Sequence, residues 1–191
     1  MLEEIRLHGR GGQGVVVCAE LMALAALYDG KMARSFPWFG IARRGAPTTA
    51  FVVMGDPSEF YRCMVYNPKY VVVLDPQLHV VSPEVTSGIK ENSVYVQNST
   101  KEPRELLGEL GPRVKLRVVA TVDATGLALE YMGTPIPNIA MLGAFVKATG
   151  LVSLSSAERA VKARFPEKLW DKYVECLKAS YEKTRVEVLS K

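Results

Sequence analysis

The stretch IRLHGRGGQGVVVCAELMALAALY, residues 5–28, places a glycine-rich turn between two apolar segments. Residues 4–8 alternate polar and apolar side chains, as a short buried strand does. The turn itself, GRGGQG at 9–14, fits the pattern G-x-G-x-x-G. The run over 15–28 is nearly all apolar and rich in Ala and Leu, which predicts a buried helix. A strand, a glycine turn and a helix in this order are typical of a site that binds phosphate.

Outward from this unit, strands and helices alternate along the rest of the chain. Asp75-Pro76 ends the continuously apolar run YVVVL, and such runs are usual in strands covered on both faces, as in a parallel sheet. The pattern predicts strands over 31–35, 48–54, 70–74, 93–97 and 115–120, and an irregular loop over 36–47. It predicts helices over 102–110, 121–132, 139–150, 155–165 and 167–185. Thr121 or Asp123 is expected to cap the second of these helices, and the capping box Ser155-x-x-Glu158 to open the fourth. We therefore predict one α/β domain over residues 1–191, with a Rossmann-like, mostly parallel sheet flanked by helices and a helical C-terminal third.

Composition limits the classes of function. The chain has 191 residues, of which 48% are hydrophobic and 23% charged, as in one ordinary globular domain. A net charge of +4 suits a local anion site better than a nucleic-acid surface. No apolar run approaches the ~20 residues of a membrane span, and the start MLEEIRLHG lacks the apolar segment of a secretory signal. Cys18, Cys63 and Cys176 form no C-x-x-C, which argues against a zinc or iron–sulfur site and favours a reducing cytoplasm.

The glycine turn is the strongest candidate site. Its glycines allow the backbone to approach a ligand, and the helix that follows offers unpaired N–H groups and a partial positive charge. A turn needed only for tight helix–sheet packing would require fewer glycines than this one has. The candidate ligand-binding residues of the turn are Gly9, Arg10, Gly11, Gly12, Gln13 and Gly14.

The residues after the turn fit a nicotinamide dinucleotide poorly. Such a site needs an acidic residue at the end of the second strand to hold the ribose hydroxyls. That position falls near Arg34 and Ser35, and Asp29 sits with Gly30 in the turn that ends the helix. A basic environment suits an extra phosphate on the ribose, which both NADP and coenzyme A carry.

Four ordered segments extend the comparison beyond the glycine turn. They are HGRGGQGVVVCAELMALAA, SFPWFGIARRGAP, VVVLDP and PNIAMLGAFVKATGLVSL. Together they resemble the gamma subunit, or equivalent domain, of 2-oxoacid:ferredoxin oxidoreductases, of which pyruvate:ferredoxin oxidoreductase is the best-known example. The resemblance runs from about residue 4 to residue 165, and its most specific parts are FG-x-x-RRGAP and N-x-x-MLGA.

The resemblance implies a role in a larger enzyme. That enzyme converts a 2-oxoacid and coenzyme A to acyl-CoA, CO2 and two electrons for ferredoxin. By resemblance, thiamine pyrophosphate sits in alpha and beta subunits, [4Fe-4S] clusters sit in beta and delta-type subunits, and the gamma chain binds coenzyme A without catalysing the reaction alone. It also implies a heteromeric complex of anaerobic metabolism. The cysteine usage, charge and hydropathy described above favour a cytoplasmic location, with no nucleic-acid or membrane partner.

Further candidate residues lie outside the turn. Arg43 and Arg44 are suited to a bidentate phosphate contact, and a solvated pair or an ion pair to a partner subunit is the alternative. Ser35 begins SFPWF, which either lines the ligand site or anchors a subunit interface. Asn138 either caps the helix that it precedes or contacts the ligand. His8 is expected to be a hydrogen-bonded core residue, with ligand contact as the alternative, and the second histidine, His79, a surface residue.

Two other functions compete with the coenzyme A-binding subunit. One is a freestanding NADP-binding reductase, and the other is a scaffold that only holds catalytic subunits together. The missing acidic residue and the lack of a nucleophile–base pair argue against the reductase, and the glycine–arginine pattern argues against the scaffold. The choice among pyruvate, branched-chain 2-oxoacids, 2-oxoglutarate and indolepyruvate is left open, with pyruvate preferred.

Overall fold

The computed structural model describes residues 2–38, 45–55, 64–112 and 114–189. Strands and helices alternate through most of the chain, and four helices in succession form much of its C-terminal part. The elements are β1 (Glu3–Arg10), α1 (Val15–Tyr28), β2 (Met32–Trp38), β3 (Pro47–Gly55), β4 (Tyr70–Val73), α2 (Leu78–Val81), β5 (Ser93–Asn98), α3 (Pro103–Leu110), β6 (Leu116–Val122), α4 (Ala124–Met132), α5 (Asn138–Thr149), α6 (Leu154–Arg164), α7 (Trp170–Lys183) and β7 (Arg185–Val188), with short 3-10 turns at Pro83–Val85 and Glu167–Leu169.

The seven strands form one sheet in the order β2-β3-β1-β4-β5-β6-β7. Its four central strands, β1, β4, β5 and β6, pair in parallel. The pairings of β3 with β1, of β2 with β3 and of β6 with β7 are antiparallel. The predicted α/β fold is therefore confirmed, and the sheet is mixed because antiparallel strands flank its parallel centre.

The two faces of the sheet bury different cores. The larger core packs α1, α5, α6 and α7 against one face, where side chains such as Ile5, Leu7 and Val72 are fully buried. The opposite face carries Val71, Val73 and Tyr95 under α2 and α3, and a smaller apolar cluster over β3. Burial on both faces explains why β4 is continuously apolar.

Several boundaries differ from those that the sequence predicts. The second strand continues to Trp38, so part of the predicted loop over 36–47 is extended sheet, and 39–44 lie outside the described residues. The final helix is predicted to run to residue 185, but it ends at Lys183, and Arg185 is the first residue of β7. A four-residue strand has too little periodicity to be recognised alone, and it forms here by pairing with the free edge of β6.

Two helix caps are resolved by the structure. Asp123, one of two predicted caps of α4, accepts a hydrogen bond from the Gly126 backbone N–H at 2.8 Å, whereas Thr121 lies inside β6. The predicted cap Ser155 of α6 is wrong by two residues, since Ser153 accepts from the Ser156 N–H. Asp29, at the end of α1, accepts from the Ser153 backbone N–H at 2.6 Å and so holds the cap in place.

Candidate functional site

The glycine turn joins the carboxyl end of β1 to the amino end of α1. Gly14 is the N-cap of α1, with φ of +75°, and no side chain caps the helix. Gly12 has φ of +99°, so both residues adopt backbone conformations that strongly favour glycine. The first helical backbone bond that involves the turn runs from the Cys18 N–H to the Gly14 carbonyl at 2.9 Å. The N–H groups of Val15 to Val17 therefore have no partner inside the helix and face the turn.

Backbone hydrogen bonds fix the path of the turn against the start of β3. The Gly11 N–H donates to the Ala46 carbonyl at 2.9 Å, and the Gly45 N–H donates to the Gly11 carbonyl at 3.1 Å. The Gln13 N–H donates to the Arg10 carbonyl at 3.0 Å. These bonds use the N–H groups of Gly11 and Gln13, so those two groups are not the ones offered to a ligand in this conformation.

The side chains of Arg10 and Gln13 are held by a carboxylate that the sequence analysis missed. Asp75, which is 7% exposed, accepts from Arg10 Nε at 3.1 Å and from Gln13 Nε2 at 2.9 Å, and its other oxygen accepts from the Gln77 backbone N–H at 3.1 Å. The Gln13 side-chain oxygen in turn accepts from the Arg10 backbone N–H at 2.7 Å. The sequence pattern marks Asp75 only as the end of a strand, although its place after a buried parallel strand is where α/β folds put functional side chains.

Two glycines of the turn leave no room for a side chain. A Cβ on Gly9 would come within 2.5 Å of Val15 Cγ2 and 3.2 Å of Leu74 Cβ. A Cβ on Gly14 would come within 2.6 Å of Asn138 Nδ2. By contrast, nothing lies within 4 Å of a Cβ built on Gly12, so the described residues leave open space at that position.

Asn138 is brought directly against the turn. It is the first residue of α5 and 7% exposed, and its Oδ1 accepts from the Ile139 N–H at 2.9 Å. The N-cap position belongs to Pro137, so Asn138 is not the cap in the usual sense. Its Nδ2 makes no hydrogen bond to the described residues and lies beside Gly14, which makes it an available donor at the turn.

The other predicted residues are not gathered at the turn. Ser35 lies in the edge strand β2, paired with Val52, which is in turn level with Ile5 of β1. Four strand residues separate Ile5 from Gly9, or roughly 13 Å, so the structure does not bring Ser35 next to the turn. Arg43 and Arg44 lie outside the described residues.

Asp29 is the acidic residue that comes closest in sequence to the position where a dinucleotide site holds the ribose, but its carboxylate is used in contacts with α6. Both oxygens of the Asp29 carboxylate accept hydrogen bonds, from the Ser153 N–H and hydroxyl and from the Ser156 hydroxyl. Burial would raise the pKa of Asp29, but these hydrogen bonds together lower it below its ordinary value. Asp29 therefore joins α1 to α6 and is not positioned to hold a ribose.

The two histidines have different surroundings. His8 is 4% exposed, and its Nε2 accepts from Arg6 Nε at 2.9 Å, which confirms its place in the core. Burial, followed by the charge of Arg6, lowers the pKa of His8 to about 3, so the ring is neutral at physiological pH. The prediction that His79 is a surface residue is wrong, because its side chain is only 4% exposed and lies between Gln97 and Glu109.

Other chemistry is not supported by the described part of the chain. No group of three His, Cys, Asp or Glu side chains there is arranged to hold a metal ion. Cys18 and Cys176 are buried, and burial raises the pKa of both thiols, which makes them poor nucleophiles. Among the described helices, none combines the length and apolar character that crossing a membrane needs.

Comparison with known proteins gives one consistent family. A family model for pyruvate ferredoxin/flavodoxin oxidoreductase matches residues 4–183. The common gamma subunit of pyruvate/ketoisovalerate oxidoreductases from Pyrococcus abyssi is 44% identical over 183 residues, covering 96% of this chain and 97% of that subunit. The crystal structure of the pyruvate oxidoreductase subunit PORC from Thermotoga maritima has a TM-score of 0.84 and 36% identity, and covers 97% of this chain and 98% of its own.

A more distant structure has the same fold within a longer chain. It is the 2-oxoglutarate:ferredoxin oxidoreductase of Magnetococcus marinus with 2-oxoglutarate, coenzyme A and succinyl-CoA bound. The TM-score is 0.70 at 18% identity, and the match covers 95% of this chain and 31% of that one, so the likeness concerns the fold alone. From the family match and the closely similar gamma subunits, this chain belongs to the pyruvate ferredoxin/flavodoxin oxidoreductase family, as a gamma-type subunit of an oxidoreductase that acts on 2-oxoacids.

Proposed function

We propose that this chain binds coenzyme A at the glycine turn and presents it to the catalytic subunits of a 2-oxoacid:ferredoxin oxidoreductase. The complete cytoplasmic complex would convert a 2-oxoacid and coenzyme A to acyl-CoA, CO2, a proton and two electrons for ferredoxin. Alpha, beta and delta-type partners would hold thiamine pyrophosphate and [4Fe-4S] clusters. Thiamine pyrophosphate supplies the decarboxylation chemistry, and this chain supplies binding and orientation.

The observation that carries the proposal is the uncapped amino end of α1. Gly14 contributes no capping side chain, and the N–H groups of Val15 to Val17 have no intrahelical partner. A helix end with free N–H groups and a partial positive charge attracts phosphate. The open space at Gly12 lets a ligand approach the backbone closely. A pyrophosphate is the part of coenzyme A that fits this arrangement.

Side chains around the turn would add charge and direction. Arg10 has a side chain that is 34% exposed, and its link to Asp75 fixes the guanidinium beside the turn. Because Asp75 offsets part of that charge, we assign Arg10 a supporting electrostatic role and assign the direct contacts to the backbone. The Nδ2 of Asn138 is a further donor. Arg43 and Arg44, which precede Gly45 in the sequence, are proposed to hold the ribose phosphate in bidentate fashion.

Calorimetric titration of the chain with coenzyme A, dephospho-coenzyme A and NADPH tests the proposal. We expect coenzyme A to bind more tightly than its dephospho form, because the ribose phosphate adds contacts to cationic side chains. Binding of NADPH alone would refute the proposal. If none of the three ligands binds the chain, the same titration of the assembled complex decides between coenzyme A binding and a scaffold without a ligand.

Substitution Gly12→Asp tests whether the turn is the site. The added carboxylate would repel phosphate, and we expect the affinity for coenzyme A to fall at least tenfold, which corresponds to about 1.4 kcal/mol. Gly30→Asp is the matched control, because Gly30 has a similar backbone, with φ of +77°, and nothing within 4 Å of a built Cβ. Equal affinities of the two variants would place the ligand elsewhere.

The preferred oxoacid is pyruvate. The similar Pyrococcus subunit is named as common to pyruvate and ketoisovalerate oxidoreductases, so a branched-chain oxoacid is the alternative. Assaying the purified complex with pyruvate, 2-oxoisovalerate, 2-oxoglutarate and indolepyruvate, with a viologen as electron acceptor, distinguishes these substrates. We expect the highest kcat/KM for pyruvate.

A further inference from the structure

A cavity of about 290 Å³ opens on the sheet face opposite α1, beside the carboxyl end of β1. Arg6 and His8 form its floor, and Trp38, Phe51 and Tyr66 contribute aromatic walls. This cavity, the His8 pocket, lies on the opposite face of the sheet from α1, whose first N–H groups, those of Val15 to Val17, face the glycine turn. Its volume lies at the lower end of the ~300–1,000 Å³ usual for ligand pockets, so it suits one ring system rather than a whole coenzyme.

The strand register places the His8 pocket next to the turn. Trp38 of β2 pairs with Thr49 of β3, which pairs with His8 of β1, so the three side chains form a row across the sheet on one face. His8 precedes Arg10 by two residues, a distance of roughly 7 Å along the strand. A nucleotide with its phosphates at the turn can therefore reach the row without passing through the sheet.

His8 presents a fixed hydrogen-bond donor to the pocket. Arg6 Nε donates to His8 Nε2 at 2.9 Å, so in the neutral ring the proton is on Nδ1. No acceptor for that N–H lies among the described residues, and His8 lines the pocket. An acceptor supplied by a ligand in the pocket would pair with this donor.

The charge at the floor of the pocket favours a neutral ligand group over a phosphate. The guanidinium of Arg6 is occupied by backbone carbonyls, including those of Tyr66 at 3.2 Å and Glu84 at 3.0 Å. Glu84 also lines the pocket, and its negative charge would disfavour a second anion. The Arg6 donors are therefore used to hold the loops, and the His8 N–H remains for an uncharged acceptor.

The walls of the pocket suit a flat ring. Trp38 is 52% exposed and Tyr66 is 68% exposed, although both are large apolar side chains. Aromatic side chains in such positions stack against nucleobases through their faces. A purine combines a flat face with ring nitrogens that accept hydrogen bonds.

We infer that the His8 pocket binds the adenine ring of the nucleotide whose phosphates lie at the glycine turn, with His8 Nδ1–H donating to a ring nitrogen and with Trp38 and Tyr66 stacking on the base. The inference rests on the proposed function and adds a second subsite to it. Adenine recognition would then use the opposite face of the sheet from phosphate recognition, across the carboxyl end of β1.

Tryptophan fluorescence tests the inference directly. The chain has two tryptophans, so Trp170→Phe leaves Trp38 as the only one. This variant is titrated separately with adenosine 3′,5′-bisphosphate, 4′-phosphopantetheine and coenzyme A. We expect quenching by the first and third ligands, because stacking of adenine on Trp38 changes its emission, and no quenching by phosphopantetheine.

Three further variants, made in the same background, separate binding from folding. Tyr66→Ala changes an exposed side chain, and we expect about tenfold weaker binding of adenosine 3′,5′-bisphosphate from the lost stacking. His8→Leu removes the donor, with a similar loss expected from one hydrogen bond. His8→Asn restores an N–H near the Nδ1 position and should recover part of the affinity. Affinity for phosphopantetheine should be unchanged in all three.

The outcomes distinguish this inference from the proposed function. If coenzyme A binds and Gly12→Asp weakens it, but Trp38 fluorescence and the Tyr66→Ala affinity do not change, the adenine subsite is refuted and the glycine-turn site stands. Quenching by phosphopantetheine alone would also refute it, because the other arm of the coenzyme would then occupy the pocket. If none of the three ligands binds the chain, the same titrations are made with the assembled complex, and absence of binding there refutes both the site and the subsite.

Discussion

The contact between Gly14 and Asn138 allows a quantitative prediction for Gly14→Ala. Alanine at φ of +75° costs about 1–2 kcal/mol in backbone strain. Its Cβ would also lie 2.6 Å from Asn138 Nδ2 and 2.9 Å from Asn138 Cγ. Because Asn138 is only 7% exposed, relieving this overlap must move α5 or the turn, which costs about 1–3 kcal/mol more. We expect a total loss of about 3 kcal/mol in the free energy of unfolding.

Gly150→Ala is the matched control for this prediction. Gly150 ends α5 with φ of +61°, and nothing lies within 4 Å of a built Cβ, so only the backbone strain applies. For a chain of this size, 1 kcal/mol corresponds to roughly 2–4 °C in Tm. Scanning calorimetry should therefore give a Tm for Gly14→Ala that is roughly 4–8 °C below that of Gly150→Ala.

Equal melting temperatures of the two variants would refute the reasoning. In that case, the side chain of Asn138 would not be packed against the turn, and its proposed role as a ligand donor would lose its structural basis. The double variant Gly14→Ala/Asn138→Ala adds a second check. It removes Nδ2 and Cγ but keeps the Cβ, so part of the lost stability should return relative to the sum of the single changes.

Three other predictions concern Asp75 beside the turn, the buried His8 and the cap of α6. Asp75→Asn removes a buried carboxylate that accepts three hydrogen bonds, and urea unfolding should show that the free energy of unfolding falls by about 1–3 kcal/mol. The exposed control Glu91→Gln should lower it by less than about 0.5 kcal/mol. Similar losses in the two variants would show that the Asp75 carboxylate does not order the turn. The pKa of His8 is 6.5 in the unfolded chain and about 3 in the folded one. As pH falls from 6.5 towards 3, the unfolded state therefore takes up a proton that the folded state does not, and the free energy of unfolding decreases. The His8 contribution to that loss is about 2 kcal/mol at pH 5, and an unchanged dependence of stability on pH in His8→Leu would contradict it. Ser153→Ala removes the observed cap of α6 and should lower the unfolding free energy by about 1 kcal/mol, whereas Ser155→Ala should change it little, and the reverse order would restore the capping box predicted from sequence.

The sequence was sufficient for the phosphate-binding unit because that unit is local. Residues 4–28 predict a strand, a glycine turn and a helix, and the structure has all three in nearly the same bounds. Local patterns also predict the central strands and most helices. Local patterns do not predict which side chains contact each other. Asp75, for example, is 65 residues from Arg10, and no periodicity connects the two.

The sequence by itself determined the elements, the family resemblance and the turn as a candidate site, because apolar periodicity and glycine positions act over a few residues. Only the tertiary structure decided that Arg10 and Gln13 are tied to Asp75, that Asn138 lies against Gly14 and that Ser35 lies away from the turn. These outcomes depend on which strands become neighbours in the sheet. Strand order and register bring distant residues together, and both follow from burying the whole chain at once rather than from any one segment.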